Sequence, residues 1–200
     1  MQDHLDKLAR LFLKFPGIGE RQAKRFAYFI LTQPEHYVGS LVDALSTARS
    51  LAHTCTRCLR VYEGSAGRCG PCSDESRDQH TLIVVEKSQD IDSFAKTDYH
   101  GLFFVLGGLI PIVQKNVLEG TNIKKLIDRT KTEGESGTLK EIILAFPITP
   151  NGEHTDIAIR EALAPLGQVQ ISSLGRGLST GAELEYADAA SLSASLKKRE

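Results

Sequence analysis

Four cysteines fall within one 18-residue stretch as Cys55-x2-Cys58-x10-Cys69-x2-Cys72, and the chain has no others. Two C-x-x-C knuckles joined by a short loop have the spacing that closes four thiolates into a tetrahedron around Zn²⁺. The loop between them, Glu63-Gly64-Ser65-Ala66-Gly67-Arg68, is too small and polar to build a core, so a metal ion would have to fold it. All four positions are filled by sulfur, leaving no open coordination site. The expectation is one structural Zn²⁺ per chain. A pair of disulfides, or a cluster of unligated thiols, are the alternatives.

A second candidate is Pro16-Gly17-Ile18-Gly19, which separates two helical patterns. The glycines allow a tight turn whose backbone N–H groups point outward at the start of the next helix, where donors and helix dipole together accept a phosphate. Arg21, Lys24, Arg25 and Tyr28 follow at i, i+3, i+4 and i+7, one face opposite the apolar set. Such a helix-hairpin-helix grips a DNA backbone without reading its sequence. An ordinary αα-turn with a solvated basic face is the bland alternative.

Glu86 and Asp90 form the third candidate, just after a short apolar run, Thr81–Val85. A carboxylate at the C-terminal edge of a parallel sheet lies where ligands and metals usually bind. Other chemistry is absent from the sequence. His53 is redundant beside four thiolates, and His80 and His100 lie near element ends as solvated histidines do. His154 with Asp156 has the makings of a dyad but no nucleophile nearby in sequence. No G-x-x-x-x-G-K-[ST] loop supports nucleotide triphosphate hydrolysis.

The elements that must carry these residues follow from periodicity. Helical spacing covers residues 3–14 and 20–31, and a third helix opens after Pro34 with Val38, Leu41, Leu45, Ala48 and Ala52 on its inner face. Beyond the cysteines the pattern alternates strand and helix. Apolar strands are expected at 81–85, 102–106, 141–145 and 169–171, and helices after residue 88 and at 122–131, 154–163 and 189–199. The stretch 132–138, rich in Gly and Glu, reads as a loop. This predicts a chain of several parts: N-terminal helix-hairpin-helix (1–53), four-cysteine finger (54–76), mostly parallel α/β sheet (77–172), and a C-terminal Gly-rich segment with a helix (173–200).

Composition narrows the class. Apolar residues make up 41% and charged residues 24%, ordinary for a globular protein. No apolar run of roughly 18 residues offers a membrane span, and no leader precedes the first helix. Reduced cysteines holding zinc fit a cytoplasmic protein. The net charge of −1 hides an asymmetry: residues 1–60 carry +4 and the remainder −5. A basic N-terminal third on an acidic body points to a local polyanion site. The absence of tryptophan argues against a stacking platform for bases.

The sheet region resembles a Toprim domain, whose enzymes combine a glutamate after the first strand with an Asp-x-Asp pair after a later one to hold Mg²⁺. Here that later strand ends Leu144-Ala145-Phe146-Pro147, with no carboxylate. Across nearly the whole chain the ordered set resembles the RecR family of bacterial recombination mediators. The matching runs are Pro16–Gly19 with Arg21, Ala23 and Arg25, the cysteine frame, Ser76–Gln79, Val84-Val85-Glu86, Val105–Gly108 and Leu184–Asp188. The resemblance implies a non-enzymatic, nucleoid-associated protein that helps load RecA onto gapped or single-stranded DNA with RecO and, in some settings, RecF. It further implies a tetrameric ring closed through N-terminal and C-terminal contacts, with Arg21, Lys24 and Arg25 as the DNA-contacting set. The partner-facing residues would be Glu86, Asp90 and the turn Asn151-Gly152-Glu153, which stands where the family has Glu-Gly-Asp/Glu. The chain departs from the family at Ile110-Pro111, in the loop Val113–Val117, and at Ser179 and Ala182. Two rivals remain: a Mg²⁺-dependent Toprim enzyme, nuclease or primase-like, drawing a second carboxylate from Asp90, Glu153 or Asp156, and a zinc-ribbon interaction module without DNA affinity.

Overall fold

The apolar period of the first fifty residues produces three helices, α1 (Asp3–Phe12), α2 (Glu20–Thr32) and α3 (Glu35–Leu51). The computed structural model describes residues 3–114, 116–175, 178, 181, 183–187 and 189–197. The chain divides into two compact units, Met1–Ala52 and His53–Glu200. In the first, α1 packs on α2. The buried residues of the pair are the small ones, Ala9, Ala23 and Ala27, which allows close approach of the two backbones. Phe12 closes the end of the hairpin with edge-on contacts to Phe15 and Phe26 at centroid distances of 5.7 and 5.8 Å. Gly17 turns the chain at φ +76°, a left-handed conformation that other residues adopt only at a cost.

The third helix departs from the expectation. No residue of α3 is buried. Of the supposed inner face, only Val38 and Leu41 are even half-buried within the helix, and Leu45 is 62% exposed. The helical period was legible, but a period names a face without naming what covers it.

After α3 the chain forms a small ribbon of β1 (Ala52–Thr54) and β2 (Val61–Glu63), followed by the one-turn helix α4 (Gly70–Ser73). A sheet follows, built from β3 (Thr81–Val85), β4 (Leu102–Val105), β5 (Glu141–Ala145) and β6 (Gln170–Ser173) in the order β4-β3-β5-β6. Every pairing in it is parallel. Between the strands run α5 (Asp90–Phe94), α6 (Ile123–Glu135) and α7 (Pro150–Leu163), and α8 (Ala189–Lys197) closes the chain. Alternate residues divide between two faces. Leu82, Val84, Leu102, Phe104, Ile142 and Leu144 join one core with Ile123, Leu126 and Ile159, while Ile83, Val85, Phe103 and Val105 join another with Ile91. Covering both faces is what makes these strands read as continuous apolar runs. Among the described residues no helix is long and apolar enough to cross a membrane.

β4 lies at one edge of this sheet, yet all four of its residues are buried. The cysteine ribbon covers that edge. The Val105 amide donates to the Cys58 carbonyl at 2.8 Å, and Leu59 packs against both cores. Arg129 of α6 donates to the carbonyls of Arg57 and Phe103. Its guanidinium shares Glu133 with that of Arg57, at 3.0 and 3.1 Å. The expected loop at 132–138 is therefore helix through Glu135. Gly134 is buried against Val169, and the ion pairs at Glu133 reward helical geometry that glycine and glutamate content alone do not suggest. Replacing Glu133 with Ala strands two arginines that are largely withdrawn from water. The variant should unfold about 3 kcal/mol more easily in a urea titration, while Glu135→Ala should change stability by less than about 0.5 kcal/mol.

Candidate functional site

The four cysteines converge. Cys55, Cys58, Cys69 and Cys72 are all buried, and their sulfur atoms lie within 4.8 Å of one another. The two knuckles fold locally. The Leu59 amide donates to the Cys55 carbonyl at 3.0 Å, the Cys55 amide to the Arg60 carbonyl at 2.8 Å, and the Cys69 amide to the Cys55 Sγ at 3.4 Å. Leu59, just after the first knuckle, takes a left-handed φ of +63°. A branched side chain pays for that geometry, and its burial against the two cores offsets the cost.

The donor set fits a metal ion. Cys58 and Cys69 are 3.5 Å apart, close to the sulfur–sulfur edge of about 3.8 Å for a tetrahedron with 2.3 Å bonds. Without a cation the thiols cannot all ionise. The S–H groups of Cys58 and Cys72 stabilise a thiolate at Cys69, whose pKa falls to about 2. The Cys58 thiol is pushed far up by its bond to Cys69 and by burial. A central cation removes this competition. Among the described residues no other group of three or more His, Cys, Asp or Glu side chains is brought together in this way.

The hairpin places its cations as the spacing demands. Arg21, Lys24, Arg25 and Tyr28 are exposed on α2, and Ala23 and Ala27 are buried on its other side. Gly19 occupies the N-cap and no side chain bonds the first turn there, so its N–H groups are left for another acceptor. Arg25 makes a long contact of 3.4 Å with Gln22 of its own helix.

The C-terminal edge of the sheet carries the carboxylates. Glu86 is drawn in (its side chain is 16% exposed) and pairs with Lys87 at 2.9 Å; that hydrogen bond holds the Lys87 ammonium above its ordinary range. Asp90 accepts from the Lys87 amide at 2.8 Å. Both line a shallow pocket with Ser93, Phe94, Ala145, Phe146, Pro147 and Leu174. Asp156 opens instead onto a neighbouring cavity with Ser173 and Gly175. Its carboxylate is taken by Arg160 at 2.6 Å and Ser173 at 2.7 Å. That pairing also leaves no dyad with His154.

Asn151-Gly152-Glu153 is not a free turn but the first turn of α7, which begins four residues before the expected start. Thr149 caps it by accepting from the Gly152 amide at 3.1 Å. A side chain on Gly152 would sit 2.0 Å from the Pro147 carbonyl oxygen, so only glycine fits. Asn151 accepts from the Ile112 amide at 3.3 Å, tying the loop after β4 to this helix. Glu153 is exposed. In the C-terminal segment, a short turn at Leu184–Tyr186 leaves Tyr186 80% exposed. Lys115, Arg176, Gly177, Ser179, Thr180, Ala182, Asp188, Lys198, Arg199 and Glu200 lie outside the described residues.

Sequence reasoning missed Leu59, Arg60, Ser88 and Arg129. Arg129 and Glu133 stand at i, i+4, a readable helical ion pair. For Leu59 and Arg60 the only hint is proximity to Cys58, where the chain must reverse, and for Ser88 the sequence offers none.

A helical hairpin, a buried four-thiol cluster and a Toprim-like parallel sheet define a class of multi-part proteins. The family models for RecR, helix-hairpin-helix match residues 5–49, for the Toprim domain residues 80–175, and for RecR, C-terminal residues 177–200. The recombination protein RecR of Chlorobium phaeovibrioides is 36% identical over 98% of this chain and 95% of its own length. That of Levilactobacillus brevis is 36% identical over 88% and 86%, and that of Chloroherpeton thalassium 35% over 94% and 92%. The chain belongs to the RecR family.

Because the ribbon has only the cysteine cluster with a half-buried Tyr62 as its core among the described residues, Cys58→Ser should abolish metal binding and lower the thermal midpoint by roughly 10–20 °C. Elemental analysis and calorimetry of the purified variant check this.

Proposed function

We propose that this protein is a non-enzymatic recombination mediator that binds DNA as a homo-oligomer, a tetrameric ring, through Arg21, Lys24 and Arg25. In this reading the cysteine cluster holds one structural Zn²⁺. The sheet edge at Glu86, Asp90, Asn151, Gly152 and Glu153 faces RecO-like and RecF-like partners during RecA loading. The parts would be residues 1–53 for DNA, 54–76 for the metal, 77–172 for partners and 173–200 for subunit contacts.

The observation that carries this reading is the surface of the first unit. Its buried apolar residues among those described are three alanines, while Leu11, Phe15, Phe29, Leu31, Val42 and Leu45 are each more than half exposed. So large an apolar surface calls for association. Copies joined through it would bring several exposed cationic faces together, so that a chain of net charge −1 acquires a local site for phosphate. The relatives named recombination proteins support the setting. Glu86 paired to Lys87, with no carboxylate in Leu144-Ala145-Phe146-Pro147 at the end of β5, speaks against the Mg²⁺-dependent enzyme.

The test is a titration onto end-labelled gapped DNA with Mg²⁺, followed on native and denaturing gels. Retarded, intact DNA is expected; cut or extended DNA would establish the enzyme instead. The Arg21→Ala, Arg25→Ala double variant should keep its oligomeric mass, and its log–log salt dependence should flatten by about 2. Unchanged binding at moderate salt would remove these arginines from the interface.

A further inference from the structure

The ribbon does more than cover β4. Two of its residues reach across to the loop that carries the acidic pair. The Val61 amide donates to the Ser88 Oγ at 3.1 Å. The Arg60 guanidinium donates to the Asp92 carboxylate at 2.8 Å. Both contacts join segments about 30 residues apart in sequence. From the other side the same loop is held by the sheet, where the Gly107 amide donates to the Glu86 carbonyl at 3.0 Å. Within the loop, Asp90 receives the Lys87 amide and Glu86 the Lys87 ammonium.

The loop has few other anchors. Of residues 86–93, only Ile91 is buried, and α5 is a helix of five residues, too short to hold its own geometry. Arg60 and Val61 lie two and three positions beyond Cys58, and the Cys55 amide bonds the Arg60 carbonyl inside the knuckle. Their placement therefore follows from the closure of the four-cysteine cluster.

We infer that Arg60 and Val61 are positioning residues for the acidic face, and that a closed cysteine cluster sets the conformation in which Glu86 and Asp90 are presented. This deepens the reading of that face as a partner surface and rests on it. The metal site then has two roles, folding the ribbon and ordering a loop some 14 to 35 residues further along the chain.

The experiment is hydrogen exchange by mass spectrometry on the full-length, metal-loaded protein, following peptides that span residues 86–92, with β3 and β5 peptides as internal controls. Arg60→Ala and Ser88→Ala should each raise exchange in 86–92 about threefold to fivefold, and the two together more than tenfold. Metal content and the control peptides should not change. The charge-exchanged pair Arg60→Asp with Asp92→Arg should recover most of the lost protection, which a merely structural loss would not. Exchange in 86–92 that is unaltered in the double variant, or unaltered when the metal is chelated while the ribbon itself opens, overturns the inference. Capture of a purified RecO-like protein, run on the same samples, separates the two claims. Loss of capture by the unsubstituted protein would sink the partner reading and leave the loop measurement standing.

Discussion

The hydrogen bond from the Val105 amide to the Cys58 carbonyl joins two parts of the chain that are each incomplete. β4 is an edge strand made of Leu, Phe, Phe and Val, all buried, and an apolar edge left open would pair with another chain. The cysteine ribbon has only a half-buried Tyr62 packed on its thiol cluster. Docked together, the ribbon blunts the edge and the sheet gives Leu59 a place to be buried. The left-handed backbone at Leu59 is the local cost of aiming that side chain at the sheet rather than at solvent. The opposite edge, β6, is managed differently, with Gln170, Ser172 and Ser173 along it and Arg160 donating to the Ile171 carbonyl.

The two units bury apolar surface by opposite strategies. The sheet encloses long branched side chains on both faces, so its stability is internal to the chain. The helical unit encloses three alanines and leaves its large side chains outside. At about 50 residues a unit is already at the size where one core is marginal, and this one has scarcely any. Its cations sit on α2 away from the buried alanines, beside the exposed Tyr28, Phe29 and Leu31 of the same helix.

Much of this was legible in the chain. Cysteine spacing gave the cluster because the geometry of a C-x-x-C knuckle is local, and the continuous apolar runs gave the strands because burial on both faces removes alternation. The misreadings share a cause, which is that their determinants lie far away in sequence. Glu133 and Gly134 look like loop residues until Arg57, 76 positions earlier, supplies an ion pair. Asn151-Gly152-Glu153 looks like a turn until the Thr149 cap and the Pro147 carbonyl, which admits only glycine at 152, extend the helix backwards. The inner face of α3 follows from period alone, and no residue of that helix is buried. Of the candidate residues, the cysteines converge and Arg21, Lys24 and Arg25 lie exposed on one face of α2, whereas at the sheet edge only the structure shows which carboxylates are already engaged.

At that sheet edge Glu86, Asp90 and Asp156 each already have a partner. A Mg²⁺ ion demands several oxygen ligands held near octahedral positions. Here Glu86 is neutralised by Lys87, Asp90 is spent on the Lys87 amide, and Asp156 is bound by Arg160 and Ser173 in a separate cavity. What remains around Glu86 is Phe94, Ala145, Phe146, Pro147 and Leu174. If this edge is the partner surface proposed above, its apolar residues would supply affinity and its carboxylates would fix register. Such a contact depends on loop geometry rather than on ligand count. The constraint that matters at this edge is therefore whatever holds residues 86–92 in place, and the hydrogen bonds that do so lead back through Arg60 and Val61 to the four cysteines.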